Sequence, residues 1–156
     1  ISVINKKVSQ KKNIIYFLIG DGDQYEKIKL KKLAGPNIFF LGKVKNVSDY
    51  MECCDLFCLS SKWEGLPITI LEAFSLNKVV CSTSVGGVVD IIESGINGFL
   101  AKEVSFASYE DAVDEYLKLS SHEIQVMSDS IRNSFEKRFN IQISAENYLS
   151  LFKDNC

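Results

Sequence analysis

The stretch Glu64-Gly65-Leu66-Pro67-Ile68-Thr69-Ile70-Leu71-Glu72 joins an apolar, strand-like run to an apolar, helical one. The strand-like run covers residues 55–61, and the helical run continues through residues 73 and 74. Gly65 allows a tight turn, and Pro67 suits the first position of a helix. Amides at a helix start favour an anion, and carboxylates accept hydrogen bonds from hydroxyls. The stretch therefore predicts a strand, turn and helix that can hold a phosphorylated polyol between Glu64 and Glu72.

Strand-like and helical runs alternate on both sides of this stretch. Apolar runs predict strands buried on both faces at 13–19, 37–41, 56–59, 78–81 and 98–101. Helices are predicted between them, then at 109–120, 122–138 and 142–153, the first of these with a capping box formed by Ser108 and Asp111. Such alternation predicts an α/β domain, a Rossmann-like, doubly wound parallel sheet of about five or six strands with a helical C-terminal tail. Ligands of such sheets bind outside the carboxyl ends of the strands.

Composition bounds the function. The chain has 156 residues, 46% apolar, and a net charge of −2, which argues for one globular domain and against nucleic acid as a partner. Lysines at Lys6, Lys7, Lys11 and Lys12 are interpreted as a solvated helix face. Five scattered cysteines, including Cys156, and a single histidine, His122, indicate a reduced cytoplasmic protein without a zinc site. No signal peptide or membrane span is apparent.

The start of the chain reads like the middle of a helix. Residues 1–7 have helical character and no initiator Met. We therefore expect a fragment of a longer protein.

Motifs in one order and spacing carry a resemblance to a known family. They are Gly20-Asp21-Gly22, Phe40-Leu41-Gly42, Asp55 to Ser61, Glu64 to Glu72, Val85-Gly86-Gly87 with Asp90, and Gly95 to Leu100. Together they resemble the C-terminal, donor-binding domain of the retaining glycosyltransferases of family 4, which have the two-domain GT-B fold. The resemblance covers nearly the whole chain. One departure is Asp90, where the family has Glu.

The resemblance implies a role for each glutamate of the pair. Glu64 would be the catalytic residue, which accepts hydrogen bonds from the transferred sugar and helps to stabilise an oxocarbenium-like transition state. Glu72 would bind the ribose hydroxyls of the nucleotide. Taken without the family, Glu64 could equally be a carboxylate favoured by the helix dipole, and Glu72 a surface carboxylate. The apolar neighbours of Glu72 favour the ligand-binding role over a solvated surface position.

The resemblance also implies donor-binding roles for main-chain groups. These belong to Gly65, Leu66, Pro67 and Ile68 near the diphosphate, to Gly20 and Gly22 near the nucleotide, and to Lys43 and Val44 near the base. Alternatively, Gly20 and Gly22 form only a strand-to-helix turn, and the side chain of Lys43 is only solvated. Trp63 is interpreted as a plug of the strand-end loop. Tyr and Phe residues on the last three helices are expected in the core. Gly86 and Gly87 are expected on a loop that faces the cleft, without a defined role.

The resemblance further implies what the whole protein does. Residues 1–156 would form the donor-binding domain, with 107–156 as its C-terminal helices. The first strand, the Arg and Lys that bind the diphosphate, and the acceptor-binding domain would lie upstream. The donor would be a nucleoside diphosphate sugar, with a UDP-sugar as the leading expectation, and no metal or cofactor would be needed.

We expect a cytoplasmic enzyme that transfers the sugar with retention to a saccharide or a lipid-linked acceptor in bacterial surface polysaccharide synthesis. The fragment alone would be inactive. Peripheral contact of the whole protein with the inner face of the membrane, and its oligomeric state, are left open. Two alternatives also stay open: a nucleotide-sugar epimerase of related fold, and a non-enzymatic module that binds a nucleotide or a partner.

Overall fold

The computed structural model describes residues 1–10 and 13–153, and it contains two compact units, Ile1–Tyr50 and Met51–Cys156. Helices and parallel strands alternate in each unit, which confirms the α/β class. The five strands of the described residues pair as a sheet of two and a sheet of three. Lys11, Lys12 and Cys156 lie outside the described residues.

The first unit is built around a pair of parallel strands. Its elements are α1 (Ser2–Gln10), β1 (Tyr16–Ile19), α2 (Gln24–Leu33) and β2 (Ile38–Gly42), and α3 (Val47–Cys53) runs across the boundary to the second unit. The side chain of Asn5 ties α1 to the end of α2, because it donates to the carbonyl of Leu33 at 2.5 Å and accepts from the amide of Gly35 at 2.9 Å. Strands β1 and β2 correspond to the strands predicted at 13–19 and 37–41.

The expected burial of β1 and β2 on both faces is wrong for one face. Phe17 lies opposite Phe39 in the strand register, and their ring centroids are 5.8 Å apart. These side chains are 50% and 46% exposed. Side chains alternate between the faces of a strand, so an apolar run does not show whether something covers both faces.

The second unit contains a sheet of three parallel strands in the order β3-β4-β5. Its elements are β3 (Leu56–Leu59), α4 (Ile68–Ser75), β4 (Val79–Thr83), α5 (Val88–Ile91), β5 (Gly98–Ala101), α6 (Phe106–Leu117), α7 (Ser121–Ser134), a π-helical turn (Phe135–Phe139) and α8 (Ile141–Lys153). Every residue of the central strand β4 is buried. Helices α4, α6 and α7 pack against β4 and bring Phe74 and Ile131 into the core.

Hydroxyl groups tie α6 to the sheet. Tyr109 donates from its hydroxyl to the carbonyl of Cys81 at 3.2 Å, and Tyr116 donates to the carbonyl of Asp55 at 2.9 Å. Burial raises the pKa of Tyr116 to about 12. Tyr109 and Tyr116 are therefore buried with their polar ends satisfied, whereas Phe106 at the start of α6 is 48% exposed.

The C-terminal helices differ from the prediction in two respects. Helix α6 begins at Phe106, where the side chain of Ser105 caps it, so the expected capping box of Ser108 and Asp111 is wrong. The hydroxyl of Ser108 instead accepts from the amide of Glu103. The chain also leaves the α-helical path after Ser134, where a single helix to residue 138 was expected.

The last helix exposes aromatic side chains that were expected in the core. Tyr148 and Phe152 are 64% and 58% exposed, and their rings meet edge to face at 5.2 Å. Helical spacing of apolar residues identifies a shared face, but it does not identify what that face packs against. The expectation that these two residues are core is therefore wrong within this structure.

A capping box does occur at the start of α7. The hydroxyl of Ser120 accepts from the amide of Glu123, and the carboxylate of Glu123 accepts from the amide of Ser120 at 2.7 Å. We expect Ser120→Ala to lower the free energy of unfolding by about 1 kcal/mol, because it removes this cap. Chemical denaturation followed by circular dichroism measures the change. Ser121→Ala, at the next and also exposed residue, is the control. Equal losses in the two variants would contradict the assignment.

Candidate active site

The predicted site stretch connects β3 to α4. Strand β3 ends at Leu59, the stretch begins five residues later at Glu64, and α4 begins within it at Ile68. Pro67 occupies the N-cap position with φ −77° and ψ 93°, and no side chain caps the helix. The helix therefore begins one residue later than predicted. The amide of Ile70 donates to the carbonyl of Pro67 at 3.0 Å. The earlier amides at a helix start have no partner within the helix, so those of Ile68 and Thr69 are the donors that the start of α4 can present to an acceptor.

A hydroxyl group orients Glu64. The hydroxyl of Ser61 donates to Oε1 of Glu64 at 2.5 Å, and the hydroxyl of Thr83 donates to the carbonyl of Ser61 at 2.5 Å. Glu64 is half-buried. Because a carboxylate has about four acceptor positions, one bond from Ser61 leaves room for bonds from a ligand. Sequence reasoning missed both Ser61 and Thr83. The signal present in the sequence was that each polar side chain stands at the carboxyl end of a strand.

The glycine pair after β4 packs directly on the backbone of the site stretch. Gly86 has φ +49°, and a Cβ there would overlap the carbonyl oxygen of Glu64. The amide of Gly87 donates to the carbonyl of Gly65 at 2.8 Å. A Cβ on Gly87 would lie 2.7 Å from the same oxygen. The loop to which the sequence assigned no role therefore supports the backbone of the site.

Glu72 lies on the exposed side of α4. Its helix neighbours Ile70, Ala73 and Phe74 are fully buried, whereas Glu72 is exposed. The apolar neighbours thus mark the opposite face of the helix, and they were not evidence that Glu72 is withdrawn from solvent. Glu72 is thus exposed and Glu64 half-buried, so both carboxylates keep some contact with solvent.

The remaining residues of the stretch are mostly open to solvent. Leu66 and Ile68 are 62% and 64% exposed, and Pro67 is buried. A Cβ placed on Gly65 would meet no atom within 4 Å beyond its chain neighbours. The side chains of Leu66 and Ile68 are accordingly open to solvent, whereas the carbonyl of Gly65 is already engaged by the amide of Gly87.

Trp63 does not plug the loop. Its side chain is 82% exposed, although it stands next to half-buried Glu64. The interpretation of Trp63 as a plug is therefore wrong. A residue preceding a strand-end carboxylate can point outward, and sequence alone does not distinguish the two orientations.

The other predicted donor-binding residues lie in the first unit. Gly20 and Gly42 end the two strands with φ +128° and +68°, and the amide of Gly20 donates to the carbonyl of Gly42 at 2.9 Å. Gly22 and Lys43 are exposed, and Val44 is half-buried. These residues follow the carboxyl ends of β1 and β2, where ligands of parallel sheets bind.

Asp21, between the two glycines of the first loop, is held by an ion pair. Lys27 donates to its carboxylate at 2.7 Å, and this hydrogen bond and charge lower the pKa of Asp21. The pair joins the loop to α2. The structure thus gives Asp21 a local partner within the first unit.

The two cysteines of the central strands, Cys58 and Cys81, lack the features of nucleophiles. Burial raises the pKa of the Cys58 thiol to about 11 and raises that of Cys81 further. A thiol needs a lowered pKa to react readily. In the described part of the chain, no group of three or more His, Cys, Asp or Glu residues could hold a metal ion. Among the same residues, no helix has the length and apolar character that crossing a membrane requires.

A separate cleft of about 250 Å³ lies beside β5 and α6. Its lining is mainly charged and contains none of the predicted site residues. It is lined by Leu100, Lys102, Ser108, Asp111, Ala112, Asp114, Glu115 and Lys118. The cleft is therefore not a second candidate for the predicted donor-binding site.

Comparison with known proteins identifies the family. The family model for "Glycosyl transferases group 1" matches residues 1–134. The chain belongs to this glycosyltransferase family. The match includes both glutamates of the site stretch and both glycine loops described above.

Curated relatives of the chain include bacterial glycosyltransferases. The chain is 31% identical to the O-antigen biosynthesis glycosyltransferase WbnH of Escherichia coli over 148 residues, which are 94% of the chain and 39% of the relative. It is 24% identical over 145 residues to an E. coli UDP-Gal:alpha-D-GlcNAc-diphosphoundecaprenol alpha-1,3-galactosyltransferase, covering 90% of the chain and 37% of that enzyme. The chain thus spans about two fifths of the length of these relatives.

Solved structures confirm the fold. HepE from Anabaena, crystallised in complex with UDP, superposes with a TM-score of 0.81 at 20% identity, over 97% of this chain and 44% of HepE. Sucrose-phosphate synthase from Thermosynechococcus elongatus gives a TM-score of 0.81 at 16% identity, over 97% of this chain and 41% of the synthase. The predicted GT-B type of α/β architecture is therefore correct.

The packing of Gly86 on Glu64 yields a prediction with a matched control. Gly86 and Gly95 both have positive φ, but only at Gly86 would a Cβ meet another backbone segment. We expect Gly86→Ala to cost about 1–3 kcal/mol more in unfolding free energy than Gly95→Ala, because the overlap adds to the shared backbone strain. Chemical denaturation measures the difference. Amide NMR should show shifts at Glu64, Gly65, Leu66 and Ile68 in the Gly86 variant alone. Equal destabilisation, or an unchanged site stretch, would contradict the packing argument.

Proposed function

We propose that this chain is the donor-binding domain of a retaining glycosyltransferase of family 4. The observation that carries the proposal is the pairing of an oriented carboxylate with an uncapped helix start. Ser61 fixes Glu64 at the end of β3, and the first turn of α4 presents amides a few residues later. A nucleoside diphosphate sugar carries what both groups bind, sugar hydroxyls and an anionic diphosphate.

Glu64 has the geometry of a group that acts on the transferred sugar. Its carboxylate keeps free acceptor positions beside the bond from Ser61, so it can accept from sugar hydroxyls. A fixed negative charge near the anomeric carbon stabilises positive charge that develops as the diphosphate leaves. The diphosphate in turn accepts from amides at the start of α4, around Leu66 and Ile68, which stabilise its negative charge as it departs. Retention of configuration is part of the proposal and rests on the family resemblance.

Glu72 is assigned to the ribose. It follows the start of α4 by one helical turn and is exposed on the side away from the core. A carboxylate there can accept from two vicinal hydroxyls of a nucleotide whose diphosphate lies at the helix start. Donor contacts of Gly20, Gly22, Lys43 and Val44 remain predictions. We propose UDP as the nucleotide because the galactosyltransferase relative is named for UDP-Gal and HepE was crystallised with UDP.

The setting of the reaction is also a proposal. The relatives are named for O-antigen biosynthesis or for a diphosphoundecaprenol-linked sugar, which supports a saccharide or lipid-linked acceptor and a cytoplasmic enzyme of surface polysaccharide synthesis. The chain spans about two fifths of those relatives, so we expect it to bind donor without transferring sugar when alone. Donor binding requires no metal ion in this proposal.

The assignment of Glu72 leads to a binding experiment. We expect Glu72→Gln to weaken UDP binding by the chain about tenfold or more, because a hydrogen bond to a charged group contributes about 1.5–3 kcal/mol. Titration calorimetry measures the affinity. Glu146→Gln, at an exposed carboxylate on α8, is the matched control and should bind UDP as the unmodified chain does. The same affinity in both variants, or no UDP binding by the unmodified chain, would contradict the proposed site.

A further inference from the structure

Two hydroxyl groups connect the core of the second unit to the carboxylate of Glu64. The hydroxyl of Thr83 donates to the carbonyl of Ser61, and the hydroxyl of Ser61 donates to Oε1 of Glu64, each at 2.5 Å. Thr83 is only 4% exposed, whereas Ser61 and Glu64 are half-buried. The three residues therefore form a chain of hydrogen bonds that runs from a buried strand end to a carboxylate in contact with solvent.

Thr83 is a donor with a well-defined position. It is the last residue of the fully buried strand β4, and its backbone lies opposite Ala101 of β5 in the strand register. A β-branched side chain has few χ1 rotamers, so the backbone of the strand largely decides where this hydroxyl points. Burial also strengthens the bond that the hydroxyl makes, because water does not compete for it.

This donor holds the neighbouring chain at a point that the sheet does not reach. The ladder between β3 and β4 ends at the pair of Leu59 and Ser82, and Ser61 lies two residues beyond it. The bond from Thr83 to the carbonyl of Ser61 continues the connection between the two chains after the ladder has ended. The backbone from which the hydroxyl of Ser61 projects is therefore fixed by β4.

The segment that carries Glu64 is also held at its other end. There the amide of Gly87 donates to the carbonyl of Gly65 at 2.8 Å. With the backbone anchored on both sides, the bond from Ser61 fixes the remaining freedom, which is that of the Glu64 side chain. Thr83 thus acts on the carboxylate through Ser61, without touching it.

We propose that Thr83 and Ser61 are positioning residues that make the site favour a nucleotide with a sugar attached over the bare nucleotide. A freely rotating glutamate loses side-chain entropy when it binds a hydroxyl, whereas Glu64, held by Ser61, has already lost it on folding. More of its hydrogen-bond energy is then available to the transferred sugar. UDP lacks that sugar, so its affinity does not depend on these bonds. This inference rests on the proposed function, because Glu64 must face the transferred sugar.

Titration calorimetry with two ligands measures the effect. UDP-glucose, UDP-galactose and UDP-N-acetylglucosamine are titrated into the chain, and the one that binds most tightly is compared with UDP in every variant. The measured quantity is the dissociation constant of this UDP-sugar divided by that of UDP. We expect Thr83→Val and Ser61→Ala each to raise this ratio about fivefold and to leave UDP affinity unchanged, because each removes one bond that orients Glu64.

Two further variants separate positioning from stability. Thr83→Ser keeps the hydroxyl and should keep the ratio of the unmodified chain. Ser128→Ala removes a bond of the same kind, from a hydroxyl to the carbonyl of Asn77 at 2.7 Å, beyond the C-terminal end of α4. It should leave the ratio unchanged, although it also lowers the free energy of unfolding.

A double-mutant cycle tests whether the effect passes through Glu64. Glu64→Ala removes the carboxylate and should raise the ratio at least as much as Thr83→Val or Ser61→Ala does. In the Glu64→Ala background, neither of those two substitutions should raise the ratio further, since residues that act in series are not additive. A merely structural role would weaken the binding of both ligands, with or without Glu64.

The outcomes are distinct. Three results overturn this inference and leave the proposed nucleotide site in place: UDP binding without UDP-sugar binding, an unchanged ratio in Ser61→Ala or in folded Thr83→Val, and an effect of either that persists in Glu64→Ala. An equal rise of the ratio in Ser128→Ala overturns it as well. If Thr83→Val does not fold, Ser61→Ala and its cycle decide the result. A chain that binds no UDP overturns the proposed function, and this inference falls with it.

Discussion

The parallel pairing of β3 with β4 is the constraint on which the candidate site depends. Cys58 lies opposite Cys81 in this register, so the two strands end at the same edge of the sheet and their following loops meet. The meeting is then fixed by the bond from Thr83 to the carbonyl of Ser61 and by the contact of Gly86 with Glu64. Glu64 is oriented by a neighbour on its own loop, and that loop is held by the next one. The site is therefore a property of two adjacent strand ends rather than of one motif.

Much of the fold could be predicted from the sequence, because strand and helix periods differ and the linkers are short. The alternation of elements from β1 to β5, and the helical C-terminal part, are found as predicted. Burial was predicted less well. Phe17 and Phe152 look like core residues by pattern, but at least half of each side chain is exposed. A pattern shows which side chains share a face, whereas burial depends on what lies against that face.

The site could be predicted in part for a similar reason. Residue types and spacing pointed to Glu64 and Glu72, since carboxylates beside a helix start have recognisable chemistry. The contribution of Ser61 and Thr83 depends on distances between separate loops, which no local pattern contains. The packing of Gly86 and Gly87 on the site stretch likewise depends on a contact between two loops that no local pattern predicts. The expected orientation of Trp63 was wrong because sequence does not say which way a loop residue faces.

The central claim is that a nucleotide binds at the start of α4, beside Glu64. Amide NMR of the chain during titration with UDP tests it most directly, since each amide reports its own surroundings. The account predicts saturable shifts concentrated in the amides of Gly65, Leu66 and Ile68 and extending along α4 to Glu72. Shifts confined to the cleft between Lys102 and Lys118, or an absence of saturable shifts at the start of α4, would contradict it.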